Sequence, residues 1–336
     1  MTRIEPTIPI YRSIQEIPPG FGPTVAAIGN FDGVHLGHRS ILGAAVDEVK
    51  RLRQQHPSAQ AIAITFDPHP VQFLRPAEAP RLITPLQERL RLLATTGIDA
   101  ALVLPFNAQL ARLPARVFVE QVLVRQLDLR SLHEGANFHF GHGAEAGVGE
   151  LMAFGKEFGF QLTIHKSVHV RTHPQTGRTG FEVSSSAIRE CVTTGQLSLA
   201  RWMLGRSFVL YSTSARGRGL GTRLVVPTVN LADRDDGLMP AIGVYVTCME
   251  IAGHRFQAVT NVGNRPTFRG AGFAVESHLL NFEPIEINER TPVALEFLLR
   301  LRGEMEWPSA DALKDQITQD VARARHYFRL AERAAG

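Results

Sequence analysis

The amino-acid sequence predicts an α/β chain in two parts. An open, mostly parallel sheet flanked by helices comes first; a small antiparallel β-barrel with a terminal helix follows. Three observations carry this. Up to about residue 190, short apolar runs alternate with helical periodicity, the pattern of strands joined by crossover helices. After about residue 205, strand-like runs succeed one another with no helix between them. The 336 residues also suffice for two domains of roughly 100–200 residues each.

Each element has its own warrant. "TVAAIGNF" reads as a buried strand, and Ile41, Leu42, Ala45, Val49 and Leu52 then recur at helical spacing. "AIAITF" is a second strand. "TPLQERLRLLATTG" predicts a helix with Thr84 as cap, Pro85 in first position and Gly97 as stop. "AALVLPF" is a third strand, followed by a helix near 114–127; "SLHEG" and "FQLTIH" add two more strands. The Gly/Ala-rich stretch 141–149 reads as a loop, and "SSSAIRECVTTGQLSLARWMLG" as helical. Next come the strands "GVYVTCMEI", "FQAVTNVG", "FAVESHLLNF" and "VALEFLLRLR". In the last, Val293, Leu295, Phe297, Leu299 and Leu301 alternate with Glu296, Arg300 and Arg302, while Leu298 interrupts the outer face. Leu313, Ile317, Val321, Ala324 and Phe328 mark a terminal amphipathic helix. The expected boundaries are 1–190 for the first domain, 191–204 for a helical linker and 205–336 for the second domain.

Bulk properties exclude several classes. Apolar content of 44% and charged content of 20% suit a globular enzyme. No apolar run approaches the roughly 18 residues of a membrane span, and the N-terminus lacks a signal-peptide core, so a cytoplasmic chain without a membrane partner is expected. Cys191 and Cys248 form no C-x-x-C pair, which fits a reducing compartment. The net charge of +4 comes from scattered arginines rather than basic blocks. No nucleic-acid partner is expected, and anionic small substrates fit the balance. Histidines 133, 139, 142, 165, 169 and 173 fall on different predicted elements with no H-E-x-x-H or cysteine partner, so they predict surface or hydrogen-bonded side chains rather than zinc ligands. Trp202 and Trp307 are expected to pack.

Chemistry concentrates in "GNFDGVHLGHR", residues 29–39, between the first strand and the first helix. Ligands of open α/β sheets bind at the carboxyl ends of strands, and a helix N-terminus there offers free amides to phosphate. Gly33 and Gly37 let backbone and ligand approach. His35 and His38, three apart, share a helical face and can donate to phosphate oxygens as charge develops. A bare H-x-G-H is equally a glycine-rich turn with incidental histidines; the surrounding residues decide.

The full block G-x-F-D-G-x-H-x-G-H resembles the adenylyltransferase module of prokaryotic bifunctional riboflavin kinase/FAD synthetases, a Rossmann-like nucleotidylyltransferase. "TFDPHP" (65–70) and "SSSAIR" (184–189) agree with that family in order. The resemblance implies that Gly29, Asn30, Phe31, Asp32, Gly33, Gly37, Ser184, Ser185, Ser186 and Arg189 bind ATP. His35 and His38 would be catalytic. In "GANFHFGHGAEAGVG", Asn137, Phe138, Phe140 and Gly141 match a further element, with Asn137 and Phe138 toward the flavin. His139 stands where the family has arginine, and Val148 near its aspartate.

The second half resembles the riboflavin kinase module through "GTRLVVPTVN" (221–230), "GVY" (243–245), "NVGNRPTF" (261–268) and "VESHLLNF" (275–282). Thr228 and Asn230, two apart on a strand-like segment, point to one face and supply oxygens for magnesium. Glu276 occupies the family's base position. "RGRGLGTR" (216–223), with Gly217, Gly219 and Gly221, is a basic glycine-rich loop suited to ATP phosphates. Val225 and Val226 replace Gly-Phe, Thr222 stands where arginine is usual, and Asn281 replaces aspartate. The expectation is a transferase that phosphorylates riboflavin to FMN and adenylylates FMN to FAD, using ATP with Mg2+ and no bound redox cofactor. Two rivals stay open: a monofunctional FMN adenylyltransferase with an inactive kinase-like domain, and a non-catalytic flavin-binding regulator. No oligomeric state follows from the sequence.

Overall fold

A computed structural model describes residues 7–171, 180–215, 223–224, 228–232, 237–267, 270–288 and 290–335. Its contacts define two compact units: residues 1–80 with 85–184, and residues 81–84 with 185–336.

The first unit is built on a six-stranded parallel sheet. Its elements are β1 (Ile10–Tyr11), β2 (Thr24–Ile28), α1 (Leu36–Leu52), β3 (Gln60–Asp67), α2 (Pro70–Leu74), α3 (Leu86–Ala94), β4 (Ala100–Pro105), α4 (Ala108–Ala111), α5 (Ala115–Phe118), β5 (Leu129–Gly135), α6 (Val148–Phe158) and β6 (Gln161–His165). A short antiparallel pair follows, β7 (His169–Val170) with β8 (Phe181–Glu182). Strand order in the sheet is β1-β4-β3-β2-β5-β6. Alternate residues of β2 serve opposite cores. Ala26 and Ile28 join Ile62, Ile64, Leu102 and Leu132 on one side. Val25 and Ala27 join Leu42, Val49, Leu90 and Leu93 on the other. Burial of both faces explains why these strands read as continuous apolar runs.

Three local expectations shift. Pro85 is the N-cap of α3 rather than its first helical residue, and Thr84 lies outside the helix. The predicted helix near 114–127 is α5 running on as a π-helix over Val119–Gln126. The loop 141–149 contains a short 3-10 turn at His142–Ala144, and α6 already begins at Val148.

The second unit opens with α7 (Ser185–Thr193) and α8 (Leu197–Leu204). Gly195 joins them at φ +77°, where an added Cβ would stand 2.7 Å from the Arg300 guanidinium. The strands are β9 (Phe208–Ala215), β10 (Arg223–Leu224), β11 (Thr228–Leu231), β12 (Gly243–Ile251), β13 (His254–Thr267), β14 (Gly270–Leu279), β15 (Ile285–Glu286) and β16 (Pro292–Arg302). Six of them close a barrel in the order β11-β14-β13-β12-β16-β9, and α8 packs on β9 and β16. A chain of hydroxyls, Thr247 to Thr260 at 2.7 Å and Thr260 to Ser277 at 2.8 Å, crosses three barrel strands in full burial.

The terminal helix α9 (Ala310–Ala335) covers one patch of the barrel with Ala324 and Phe328, over Val244, Val246, Cys248 and Val259. Its first turns do not share that burial, since Leu313 and Ile317 stand 40% and 49% exposed. Arg302 and Asp320 fix the docking with a 2.9 Å ion pair, and the Arg302 guanidinium also lies over the Trp307 ring. Trp202, expected to pack, is exposed.

The interruption at Leu298 has a structural cause. Thr247 pairs with Phe297, but the next partner, Val246, pairs with Leu299. Leu298 is the extra residue of a β-bulge.

Candidate active sites

In the first unit, chain order reverses between β2 and β5, which places a crevice at the carboxyl ends of these strands. The loop leaving β2 enters it. Gly29 still donates to the Ile64 carbonyl at 3.0 Å. Beyond it, Phe31, Gly33 and Val34 take positive φ of 48°, 84° and 38°, which is costly backbone for Phe and Val. Both of those side chains are buried in the core and hold the loop. Asp32 is also buried.

His35 is not on the helix but caps it. Its Nδ1 accepts the His38 amide N–H at 3.3 Å. The His35 and His38 rings stack at 3.6 Å and 17°, and Phe31 meets His38 edge-on. A Cβ at Gly37 would crowd this pair, standing 3.1 Å from the His35 ring. Burial, and next the proximity of His35 and of the charged Arg89, hold the His38 imidazole well below the ordinary histidine value. His38 is therefore a neutral hydrogen-bonding group near pH 7. Its Nδ1 is buried without a partner.

The carboxyl end of β3 meets the loop after β2. The Thr65 hydroxyl donates to the Asn30 carbonyl at 3.2 Å, and His69 caps α2 by accepting from Val71. Arg89, on α3, donates to the carbonyls of Asn30 at 2.7 Å and Phe66 at 3.1 Å. After β5, Asn137 is exposed and Phe138 is half-buried, stacked on Phe140. Ser184 ends the first unit. Ser185 and Ser186 form the first turn of α7, and Arg189, one turn on, donates to the Arg81 carbonyl at 2.8 Å.

Sequence reasoning missed Arg89 and Glu134. Arg89 is 3% exposed, and the available signal was its place on the apolar stripe of α3 between Leu86 and Leu93. Glu134, at the end of β5, accepts the Ile28 N–H at 3.0 Å. Burial pushes its carboxyl well above the usual range, against the backbone amides of Ile28 and Gly135 that favour the anion. His133 links Glu48 and His165 through two 2.9 Å contacts; His173 lies outside the described residues. Among the described residues, no three His, Cys, Asp or Glu side chains converge as metal ligands.

In the second unit, strand register assembles the site. Asn230 on β11 lies opposite Glu276 on β14, and Glu276 lies opposite Asn261 on β13. Thr228 is two residues from Asn230 on the same face. Glu276 is exposed between buried Val275 and Ser277, and Thr228 and Asn261 are exposed with it. Directly opposed side chains have Cβ atoms about 4.5–5.5 Å apart, so a hydroxyl, two amides and a carboxylate share one small surface. These are the hard oxygen donors that magnesium takes alongside phosphate oxygens. Asn261 was not singled out, because only the β13–β14 pairing brings it beside Glu276. Asn281 accepts the Gln257 N–H at 2.6 Å and so serves the strand ends. Gly217, Gly219, Gly221, Thr222, Val225 and Val226 lie outside the described residues.

The chain resembles known proteins over most of its length. Residues 19–176 match the FAD synthetase family and residues 204–328 the riboflavin kinase family. The bifunctional riboflavin kinase/FMN adenylyltransferase of Escherichia coli strain K12 is 32% identical over 311 residues, covering 92% of this chain and 94% of the relative. Its counterpart in Pseudomonas fluorescens is 32% identical over 317 residues, 94% and 96% of the two chains. A crystal structure described as a macrolide-efflux protein from Streptococcus pneumoniae shares the fold, with a TM-score of 0.77 at 25% identity over 94% of this chain and 98% of that one. Among the described residues, no helix is long and apolar enough to cross a membrane.

Proposed function

The chain belongs to the bifunctional riboflavin kinase/FMN adenylyltransferase family, and we propose from that premise how its two units divide the work. The second unit transfers the γ-phosphoryl group of ATP to riboflavin. Glu276 takes the proton of the attacking ribityl hydroxyl, a bond forms from that oxygen to the γ-phosphorus, the bond to the β-phosphate oxygen breaks, and ADP leaves with FMN formed. Thr228 and Asn230 would hold Mg2+, which when bound offsets the charge of the phosphates. Gly217, Gly219 and Gly221 supply backbone amides to the ATP phosphates.

Residues 1–190 join FMN to AMP. A phosphate oxygen of FMN attacks the α-phosphorus of a second ATP, the bond to the β-phosphate breaks, and pyrophosphate leaves. No protein nucleophile is needed. His35 and His38 donate to the oxygens that gain charge. Gly29 to Gly33, with Gly37, leave room for the nucleotide. Ser184, Ser185, Ser186 and Arg189 bind its phosphates, and Asn137 with Phe138 contacts the flavin. We place the functional division at residues 1–190 and 205–336, in a cytoplasmic enzyme without nucleic-acid or membrane partners.

The observation that carries the reading is the stacked His35–His38 pair at the N-terminus of α1 in the strand-order crevice. The intact Asn230–Glu276 row supports an active kinase over a kinase-like remnant. Chromatography of riboflavin incubated with ATP, Mg2+ and the full chain is expected to show FMN first and FAD later. FAD formed only from supplied FMN would reduce the enzyme to an adenylyltransferase; no turnover of either flavin would leave a binding protein.

A further inference from the structure

We propose that Arg89 is a positioning residue for adenylyl transfer, tying the loop after β2 to the carboxyl end of β3 and thereby setting where the His35–His38 pair stands. The inference rests on the assignment of that pair to the adenylyl site. Arg89 comes from a different element, α3, and is 3% exposed. One terminal nitrogen holds the Asn30 carbonyl and the other the Phe66 carbonyl. The carboxylates of Asp32 and Asp67 face it, so the loop after β2 and the carboxyl end of β3 each contribute one carbonyl and one charge. Its Nε is buried with no partner.

That arrangement is expensive as plain packing. An unfilled buried donor is destabilising, whereas an apolar side chain of similar volume fills such a place at little cost. The guanidinium does what an apolar side chain cannot: it reaches two carbonyls in fixed directions. One of them belongs to Asn30, the residue before the positive-φ Phe31. Backbone in such a conformation persists only where its surroundings over-determine it. Arg89 supplies that determination at the point where the chain turns toward His35. Buried beneath the loops, it acts through them rather than on a substrate.

Its charge has a second effect. The groups facing His38 are His35 and Phe31 of its own loop and helix, with Arg89 from α3. Those facing Arg89 are Asp32 and Asp67. A fixed positive charge beside His38 favours its neutral form.

Arg89→Lys and Arg89→Met test this in the full-length enzyme. FMN adenylylation, riboflavin phosphorylation and the adenylylation pH profile are measured on one preparation. Displacement of catalytic groups by about 1 Å costs about 10²-fold. Arg89→Met is expected to lose that much kcat, with KM for ATP and FMN within about threefold of wild type by the same reasoning. Arg89→Lys, reaching one carbonyl, should fall between. Phosphorylation should be unchanged. The acid limb of the profile should move to higher pH in the Met variant, because a positive neighbour of His38 is gone, and stay in place in the Lys variant. Wild-type kcat in the Met variant overturns the proposal, as does a loss carried by KM alone. So does equal damage in both variants with an unmoved acid limb, the mark of a purely structural residue. If Arg89→Met fails to fold, Arg89→Lys decides, and wild-type kcat there overturns the proposal. A parallel His35→Ala/His38→Ala variant that still makes FAD would instead refute the site assignment itself.

Discussion

The two units build their sites in opposite ways. In the first, the proposed catalytic histidines and the glycines around them are neighbours in sequence, carried by a loop with three positive-φ residues between β2 and α1. In the second they come from separate strands, and Asn230, Glu276 and Asn261 meet only because β11, β14 and β13 pair in one register. A loop site depends on a few local contacts that hold an awkward backbone. A register site depends on the whole barrel keeping its alignment. The first is open to fine adjustment by single side chains beneath it; the second is open to changes that loosen the sheet.

The largest break in this comparison comes from the loop site. Replacing His35 and His38 together by alanine removes two donors, each worth about 2.7–4 kcal/mol by analogy with oxyanion donors. FAD formation from FMN should disappear while riboflavin phosphorylation continues, and equal loss of both in a folded protein would show that the sites are not separate. Next in size, Glu276→Gln keeps shape and pairing but accepts no proton. General-base help is worth about 10²–10⁴-fold, so phosphorylation should slow by that order with adenylylation near wild type; full-speed phosphorylation would move the base to another residue.

Asp320→Ala sharpens the dependence on the barrel. Asp320 is 2% exposed and pairs with Arg302, and losing one member of a buried pair costs about 3–5 kcal/mol. Denaturant unfolding should show the second unit weakened by that order. Phosphorylation should then fail at a lower temperature than adenylylation; coincident loss would contradict independent units.

The smallest effect concerns Glu134. Its folded-state carboxyl is held above the unfolded value of about 4.3, so folding is penalised as pH rises past that value, fully so once the folded-state pKa is passed. Glu134→Gln keeps an acceptor for Ile28 and cannot ionise. The variant should melt higher than wild type near pH 8 and together with it near pH 4. A lower melting temperature at pH 8 would mean that the anion is stabilising.

The same contrast explains what was legible in the sequence. The sheet strands were plain because burial on both faces makes them apolar runs, and Gly29 to His38 were plain because adjacent residues carry the whole block that resembles a known family. Arg89 looked like its neighbour Arg91, which lies off the apolar stripe and pairs with Glu88 at the surface. Glu134 and the Glu48–His133–His165 contacts depend on which strands adjoin, information no single segment holds. Asn261 needed the β13–β14 register. On α9 the periodicity announced a buried face along its length, but the barrel patch meets only its later turns.

Two extra residues in β16, Leu298 and Leu301, let one strand serve two masters. Val293, Leu295 and Phe297 are buried at intervals of two, whereas Leu298 and Leu301, three apart, both pack in the cluster under α9. A strict pleat would send that pair to opposite sides. The offset works as a change of phase, and it makes the number of residues between Val293 and Arg302 as restrictive as their identity. A one-residue deletion there would disturb two separate interiors at once, while a polar replacement at exposed Leu299 would touch neither; chemical denaturation of the two variants separates these outcomes. Sequence length within a strand is then a structural quantity in its own right, as specific to this barrel as any of its side chains.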